Sequence, residues 1–223
     1  MKSAKKTGRT IGILLLLQLA AGLTVPFILM KPLTAGAPAF LTAAAENEFQ
    51  IRAAVMLAFV GSALTISLGI TAFPVFRRHS RAAALWFLTA CVVSGVLDAV
   101  HGATAMSMLS LSREFVSATA DLDGYYAVGG AVAAARRWAH AVQLVGIGAW
   151  IFVFYGTLLR FAIIPRPLAA LGIVGIALQF TGVTLMMFLG YGIISALAMP
   201  MLPVQITVAV WLIIKGFREG NYV

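Results

Sequence analysis

Two ionisable residues, Asp98 and His101, stand in the middle of a long apolar segment, 82–111. A charged side chain at the centre of a membrane-spanning helix costs roughly 2.5–3.5 kcal/mol on insertion scales, so it needs a partner, a water-filled cavity or a function. A carboxyl group and an imidazole three residues apart share one face of a helix. There they can hydrogen-bond a polar ligand, carry protons during transport or help to bind a metal ion. The pair is therefore the first candidate for a functional site.

The composition of the chain is that of a protein whose solvent is lipid. Hydrophobic residues make up 61% of the 223 residues and charged residues only 10%, and the mean hydropathy is +0.99. A soluble domain does not have these values. The net charge of +9 comes from Lys and Arg at the ends of apolar segments, so we predict the lipid bilayer and not nucleic acid as partner. Cys91 is the only cysteine, which excludes an intrachain disulfide.

Six apolar segments are long enough to cross a bilayer, which takes about 20 helical residues. They are 11–30, 51–76, 82–111, 138–159, 168–189 and 194–214, and the longest connection between them is 112–137. We predict an all-α, polytopic transmembrane bundle that forms a single domain over residues 1–223. Residues 112–137, which include Asp121 and Asp123, are predicted to be an outer loop.

The distribution of Lys and Arg predicts the orientation of the bundle. Eleven of the 16 basic residues flank the spans on one side, in segments 2–9, 77–81, 160–166 and 215–218. Cytoplasmic loops carry such an excess, so both termini should be cytoplasmic, and we expect the protein to lie in the inner (plasma) membrane of the cell. The first span also has the basic start and the small residues, at 35–37 and 43–45, of a cleavable signal peptide. Cleavage would leave five spans with the same orientation.

Helix periodicity and depth place four polar residues near one another. Asp98 and His101 share a stripe of the third span with small residues, a pattern typical of a face that packs on other helices. His101 and His140 each lie twenty residues from a cytoplasmic arginine, or about 30 Å along their helices, near the outer boundary of the hydrocarbon core. By the same count Asp98 and Gln143 lie at about 25 Å.

These depths predict an outward-facing polar pocket. Its lining residues would be Arg52, which lies nearer the outer surface, with Asp98, His101, His140 and Gln143. The simplest function is to bind or move a small hydrophobic or amphipathic molecule whose polar end hydrogen-bonds these residues. The competing interpretation is structural, with Asp98 paired to Arg52 or Gln143 only to set the helix register.

Enzymatic alternatives use the same residues but have less support. His101 and His140 on facing helices could ligate haem, and the two with Asp98 could hold zinc and activate water. The chain lacks an HExxH helix, a G-x-S-x-G elbow and a phosphate-binding glycine loop. We therefore predict no particular cofactor and do not favour an enzyme.

Short motifs along the chain resemble those of the bacterial six-span membrane proteins grouped as domain of unknown function 4386. They lie at residues 5–9, 47–52, 158–160, 164–166, 171–172 and 211–216. The resemblance covers nearly the whole chain and implies six helices. The family has no assigned activity, so it supplies no catalytic residues, and the outer connection here looks longer than its usual pattern.

Overall fold

The computed structural model describes residues 2–36, 38–118, 122–192 and 194–217. These residues form helices joined by short turns, with no strand among them. The helices are α1 (Lys2–Thr24), α2 (Phe40–Glu46), α3 (Glu48–His79), α4 (Arg81–Ser117), α5 (Leu122–Arg160), α6 (Arg166–Leu189), α7 (Ile194–Ala198) and α8 (Met201–Ile214). A π-helical turn, Val25–Leu29, continues α1, and a 3-10 turn, Lys31–Leu33, follows it.

Six helices of the described chain are long and apolar enough to cross a membrane, which confirms the predicted all-α, six-span bundle. They are Lys5–Leu29, Glu48–His79, Arg81–Ser117, Leu122–Arg160, Arg166–Leu189 and Ala196–Ile214. Helices suit this environment because each backbone N–H and C=O finds its partner within the same segment, where no water is available.

The predicted outer loop 112–137 is wrong for the residues that the structure describes. Helix α4 continues to Ser117 and α5 begins at Leu122, so 112–117 and 122–137 are helical. The apolar run ends at Leu111, but the helix depends on backbone hydrogen bonds and propensity, and the Ala-rich stretch before Trp138 favours it. Two predicted features, Asp121 in this connection and Arg218 in the basic C-terminal segment, lie outside the described residues.

Local sequence accounts for several helix ends. Helix α6 ends where Gly190 adopts a left-handed φ of 73°, and the Tyr191 N–H then donates to the carbonyl oxygen of Leu185, 3.3 Å away. Glycine allows this conformation without a Cβ clash, and it satisfies a carbonyl that the helix end would leave unpaired. The last span is divided into α7 and α8, with Pro200 at the N-cap of α8.

The chain divides into two compact units. Unit 1 comprises Met1–Gln18, Leu64–Ser94 and Leu144–Val223, and unit 2 comprises Leu19–Ala63 and Gly95–Gln143. Each unit has its own apolar core. The core of unit 1 contains many aromatic rings, among them Phe76, Phe87 and Phe154, whose centroids lie 5.1–6.1 Å apart.

The start of the chain packs into unit 1. Ile11 and Leu15 of α1 are buried in its core, and the Arg9 Nε donates to the carbonyl oxygen of Ile213, 3.1 Å away. A Cβ added to Gly12 would lie 2.5 Å from the carbonyl oxygen of Ala209. Only glycine allows this approach of α1 to the backbone of α8, as is common where membrane helices pack closely.

Unit 2 fastens the short helix α2 to α4 through a buried hydroxyl. The Ser112 Oγ donates to the carbonyl oxygen of Leu41 (2.5 Å) and accepts from the N–H of Ala45 (2.8 Å). The hydroxyl thereby stands between two backbone groups that are four residues apart. The C-terminal part of α4 and the N-terminal part of α5 contact through Phe115, whose ring lies 5.8 Å from those of Tyr125 and Tyr126.

The close approach at Gly12 yields a test of whether the first span stays in the mature protein. We expect Gly12→Ala to destabilise the protein by about 1–3 kcal/mol, because the new methyl overpacks the contact with α8. Gly156→Ala is the matched control, since a Cβ there meets nothing within 4 Å. Thermal unfolding in detergent and the intact mass of the purified protein measure both. An unchanged melting temperature for Gly12→Ala, with a mass that lacks the first span, would show that the span is cleaved.

Candidate functional site

Asp98 joins three helices of unit 2. Its Oδ2 lies 2.8 Å from the Ser62 Oγ of α3, and its Oδ1 accepts from the Gln143 Nε2 of α5 at 2.7 Å. Both carboxyl oxygens therefore have partners on neighbouring helices. Residues 58–63, 95–104 and 136–143 of α3, α4 and α5 carry the whole site.

Gln143 links Asp98 to the first histidine. The Nε2 of Gln143 donates to Asp98, so the Oε1 of Gln143 is left to accept a hydrogen bond. The His140 Nδ1 lies 2.9 Å from this Oε1. The His140 Nδ1 must then carry a proton, because two acceptors cannot bond each other. This hydrogen bond sets the ring orientation of His140 and leaves its Nε2 for another partner.

The second histidine contacts the first. The ring centroids of His101 and His140 lie 4.9 Å apart with an angle of 36° between the ring planes. His101 is only 5% exposed, and its buried Nε2 has no hydrogen-bond partner among the residues that the structure describes. Leaving a buried polar atom without a partner costs about 1–3 kcal/mol of stability, so a hydrogen bond to this nitrogen would be favourable.

Arg136 adds a cation to this group. It lies one helical turn before His140 on α5, close enough to both imidazoles to interact with them electrostatically. One Nη donates to the carbonyl oxygen of Leu33 at 3.1 Å, whereas the buried Nε has no partner. None of the described carboxylates forms an ion pair with Arg136. Among the residues of unit 2 that the structure describes, two buried side-chain atoms, His101 Nε2 and Arg136 Nε, thus lack a partner.

The structure brings together four of the five predicted site residues and puts the fifth elsewhere. Asp98, His101, His140 and Gln143 form the group described above. Arg52 is exposed and pairs instead with Glu48, four residues before it on α3. Arg113 lies 3.5 Å from the same carboxylate. The structural interpretation allowed Asp98 to pair with Arg52 or with Gln143. The structure contains the hydrogen bond to Gln143.

Sequence reasoning missed Ser62 and Arg136. The depth count contained a signal for Ser62, which lies fifteen residues before Arg77, close to the seventeen that separate Asp98 from Arg81. Arg136 falls in the predicted outer loop because the next apolar span begins only at Trp138. With α5 helical there, the spacing from Arg136 to His140 places both on one face.

A family model described as domain of unknown function (DUF4386) matches residues 10–216. The chain belongs to this family. The resemblance that the short motifs indicated is thereby confirmed over nearly the whole chain. No curated protein and no solved structure matches the chain.

The hydrogen bonds around Asp98 of this DUF4386 protein suit either protonation state. If the carboxyl group is ionised, Ser62 and Gln143 both donate to it. If it is neutral, its Oδ2 can donate to Ser62, whose own proton then has the carbonyl oxygen of Ala58 within reach at 3.1 Å. A proton can thus be gained or lost without leaving a partner unpaired.

Metal and haem binding have little support in this DUF4386 chain. Among the residues that the structure describes, no group of three His, Cys, Asp or Glu side chains could hold a metal ion. A zinc enzyme needs three such protein ligands, and the His140 Nδ1 and both oxygens of Asp98 are already hydrogen-bonded. The two imidazoles contact each other, which leaves no space for a porphyrin between them.

The hydrogen bonds of Asp98 predict different effects for two substitutions in this DUF4386 protein. Asp98→Asn should be tolerated, because the amide can donate to Ser62 and accept from Gln143. Asp98→Ala should cost about 1–3 kcal/mol, since it removes the partner of Gln143. Thermal unfolding in detergent measures both variants against the wild type. Equal loss of stability in the two variants would show that the charge, and not the hydrogen bonds, is what matters.

Proposed function

We propose that this DUF4386 protein binds or moves a small amphipathic molecule through a pocket in unit 2 whose polar residues are Asp98, His101, His140 and Gln143. The observation that carries the proposal is the unpaired Nε2 of a histidine that is 5% exposed. A purely structural role accounts for Asp98, whose hydrogen bonds are complete. It does not account for a buried imidazole nitrogen without a partner, which a polar ligand atom would supply.

Depth supports an amphipathic ligand over a purely apolar one. Counted from Arg160, Gln143 and His140 lie about 25 and 30 Å along α5, close to the outer boundary of a hydrocarbon core of about 30 Å. A molecule with a polar end there can keep its tail among lipid-facing helices. This level also suits exchange with the outer leaflet.

The proposed setting is a bacterial inner membrane with both termini in the cytoplasm. The distribution of basic residues supports the orientation, since eleven of the 16 Lys and Arg lie on the proposed cytoplasmic side. Glu48, Arg52 and Arg113 would then form an exposed ionic network at the outer surface.

The orientation can be tested by cysteine labelling. The native Cys91 is buried, and its replacement by alanine removes any background reaction. In a Cys91→Ala background, we expect Ser117→Cys to react with a membrane-impermeant maleimide in intact spheroplasts. Arg78 is exposed and lies near the C-terminus of α3, on the proposed cytoplasmic side, so Arg78→Cys should react only after permeabilisation. The reverse labelling pattern would contradict the proposed orientation.

The binding proposal predicts a specific effect of His101. Protein purified in mild detergent should retain a small amphipathic molecule detectable by mass spectrometry, and His101→Phe should lower its occupancy about tenfold by removing one hydrogen bond while keeping a ring. His79→Phe is the matched control, because the His79 ring stacks on Phe161 in unit 1. A wild-type preparation with no bound molecule, whose stability His101→Phe leaves unchanged, would refute the proposal.

A further inference from the structure

We infer that the ligand of unit 2 is an amphiphile with an anionic head group, a carboxylate or a phosphate, held by the guanidinium of Arg136 and the Nε2 of His101. This inference rests on the proposed function and specifies the chemistry of its ligand. It combines the two buried polar atoms of unit 2 that have no partner.

Arg136 is a cation that has no anionic partner in the part of the chain that the structure describes. Its Nη donates to the backbone of Leu33, which positions the guanidinium, and its Nε remains unpaired in a buried position. A partly buried charge is stabilised when an opposite charge binds beside it. A guanidinium presents its N–H groups in a fork that matches two oxygens of a carboxylate or phosphate.

His101 supplies the second contact. Its Nε2 is buried and unpaired, and its ring lies against that of His140, whose Nδ1 is already bonded to Gln143. An anionic head group beside Arg136 offers oxygen atoms that can accept from an Nε2–H. With the hydrogen on Nε2, His101 donates to the same kind of ligand atom as Arg136 does.

Asp98 does not compete for this cation or repel the head group directly. Its oxygens are engaged by the neutral donors Ser62 and Gln143, and Gln143 stands between Asp98 and His140. The acidic and basic parts of the site are thus separated by an amide, which leaves Arg136 available to a ligand.

The position of Arg136 along α5 indicates that the anion carries a tail. Arg136 lies twenty-four residues from Arg160, or about 36 Å, which is just beyond a hydrocarbon core of about 30 Å and at the level of lipid head groups. An anion bound there has apolar surroundings on its inner side. A fatty acid or a phospholipid-like phosphate fits both parts of this environment.

The test uses full-length protein, stripped of co-purified lipid in mild detergent, and native mass spectrometry to measure the binding of defined probes. The probes are dodecanoate, dodecyl phosphate and the neutral dodecanol, with acetate and inorganic phosphate as tail-free anions. Arg136→Gln is compared with Arg137→Gln, which removes the neighbouring, exposed arginine. Arg136→Lys and His101→Phe complete the set, and thermal unfolding checks that each variant is folded.

We expect both anionic amphiphiles to bind at least tenfold more tightly than dodecanol. Arg136→Gln should weaken their binding about ten- to a hundredfold, because charge-assisted hydrogen bonds are lost, whereas Arg137→Gln should change it less than about twofold. Arg136→Lys, which keeps the charge without the fork, should lie between these values. If Arg136→Gln does not fold, a similar loss in His101→Phe and an intermediate value in Arg136→Lys carry the same test.

The remaining outcomes separate this inference from the proposed function. Equal binding of dodecanol and dodecanoate, unaffected by Arg136→Gln, would overturn the anionic head group and leave an amphiphile site in place. Acetate or phosphate binding as tightly as the tailed probes would overturn the amphiphile and assign the site to a free anion. If no probe binds and nothing co-purifies, both the inference and the proposed function fail.

Discussion

The polar part of this protein depends on one carboxyl group that must find all its partners among helices. In the bilayer no water is available to solvate Asp98, so its presence on α4 is tolerable only if neighbouring spans supply donors. Ser62 supplies one from α3 and Gln143 another from α5. The same two hydrogen bonds set the relative rotation of three helices, and this rotation turns His101 and His140 toward each other. Ser62, Asp98, Gln143 and His140 are thus joined by one continuous series of hydrogen bonds.

The two units achieve close packing by different means. In unit 1, glycine allows the backbones of α1 and α8 to approach at Gly12, and aromatic rings fill the core. Helices in lipid gain little from the hydrophobic effect, so such contact and dispersion are what hold them together. In unit 2, hydroxyl, amide and carboxyl groups take part, including Ser112 between two backbone groups of α2. Hydrogen bonds between buried polar groups fix the geometry of a site, which apolar packing alone does less specifically.

Much of this architecture could be predicted from the sequence, because hydropathy and helix periodicity are strong signals in a membrane protein. The six spans, the inward stripe of α4 and the shared depth of Asp98 and Gln143 follow from counting residues. The placement of Arg52 and the helices at 112–117 and 122–137 could not be predicted by such counting. Arg52 had a nearer partner in Glu48, one turn away on its own helix, and such local pairs form at little entropic cost. Residues 112–117 and 122–137 are less apolar than the predicted spans but are helical, so a prediction based on hydropathy alone ends the helix too early.

The amide of Gln143 explains how acidic and basic groups can share one small space without neutralising each other. A direct contact between Asp98 and a protonated His140 would form an ion pair and would bring the carboxylate into the basic part of the site. Gln143 donates to the carboxyl group with one end and accepts from the imidazole with the other, so it passes on orientation but not charge. Arg136 consequently stays uncompensated by the described carboxylates of unit 2. The hydrogen bonds of such a site hold the carboxyl group between helices and leave the guanidinium of Arg136 without an anionic partner among the described residues.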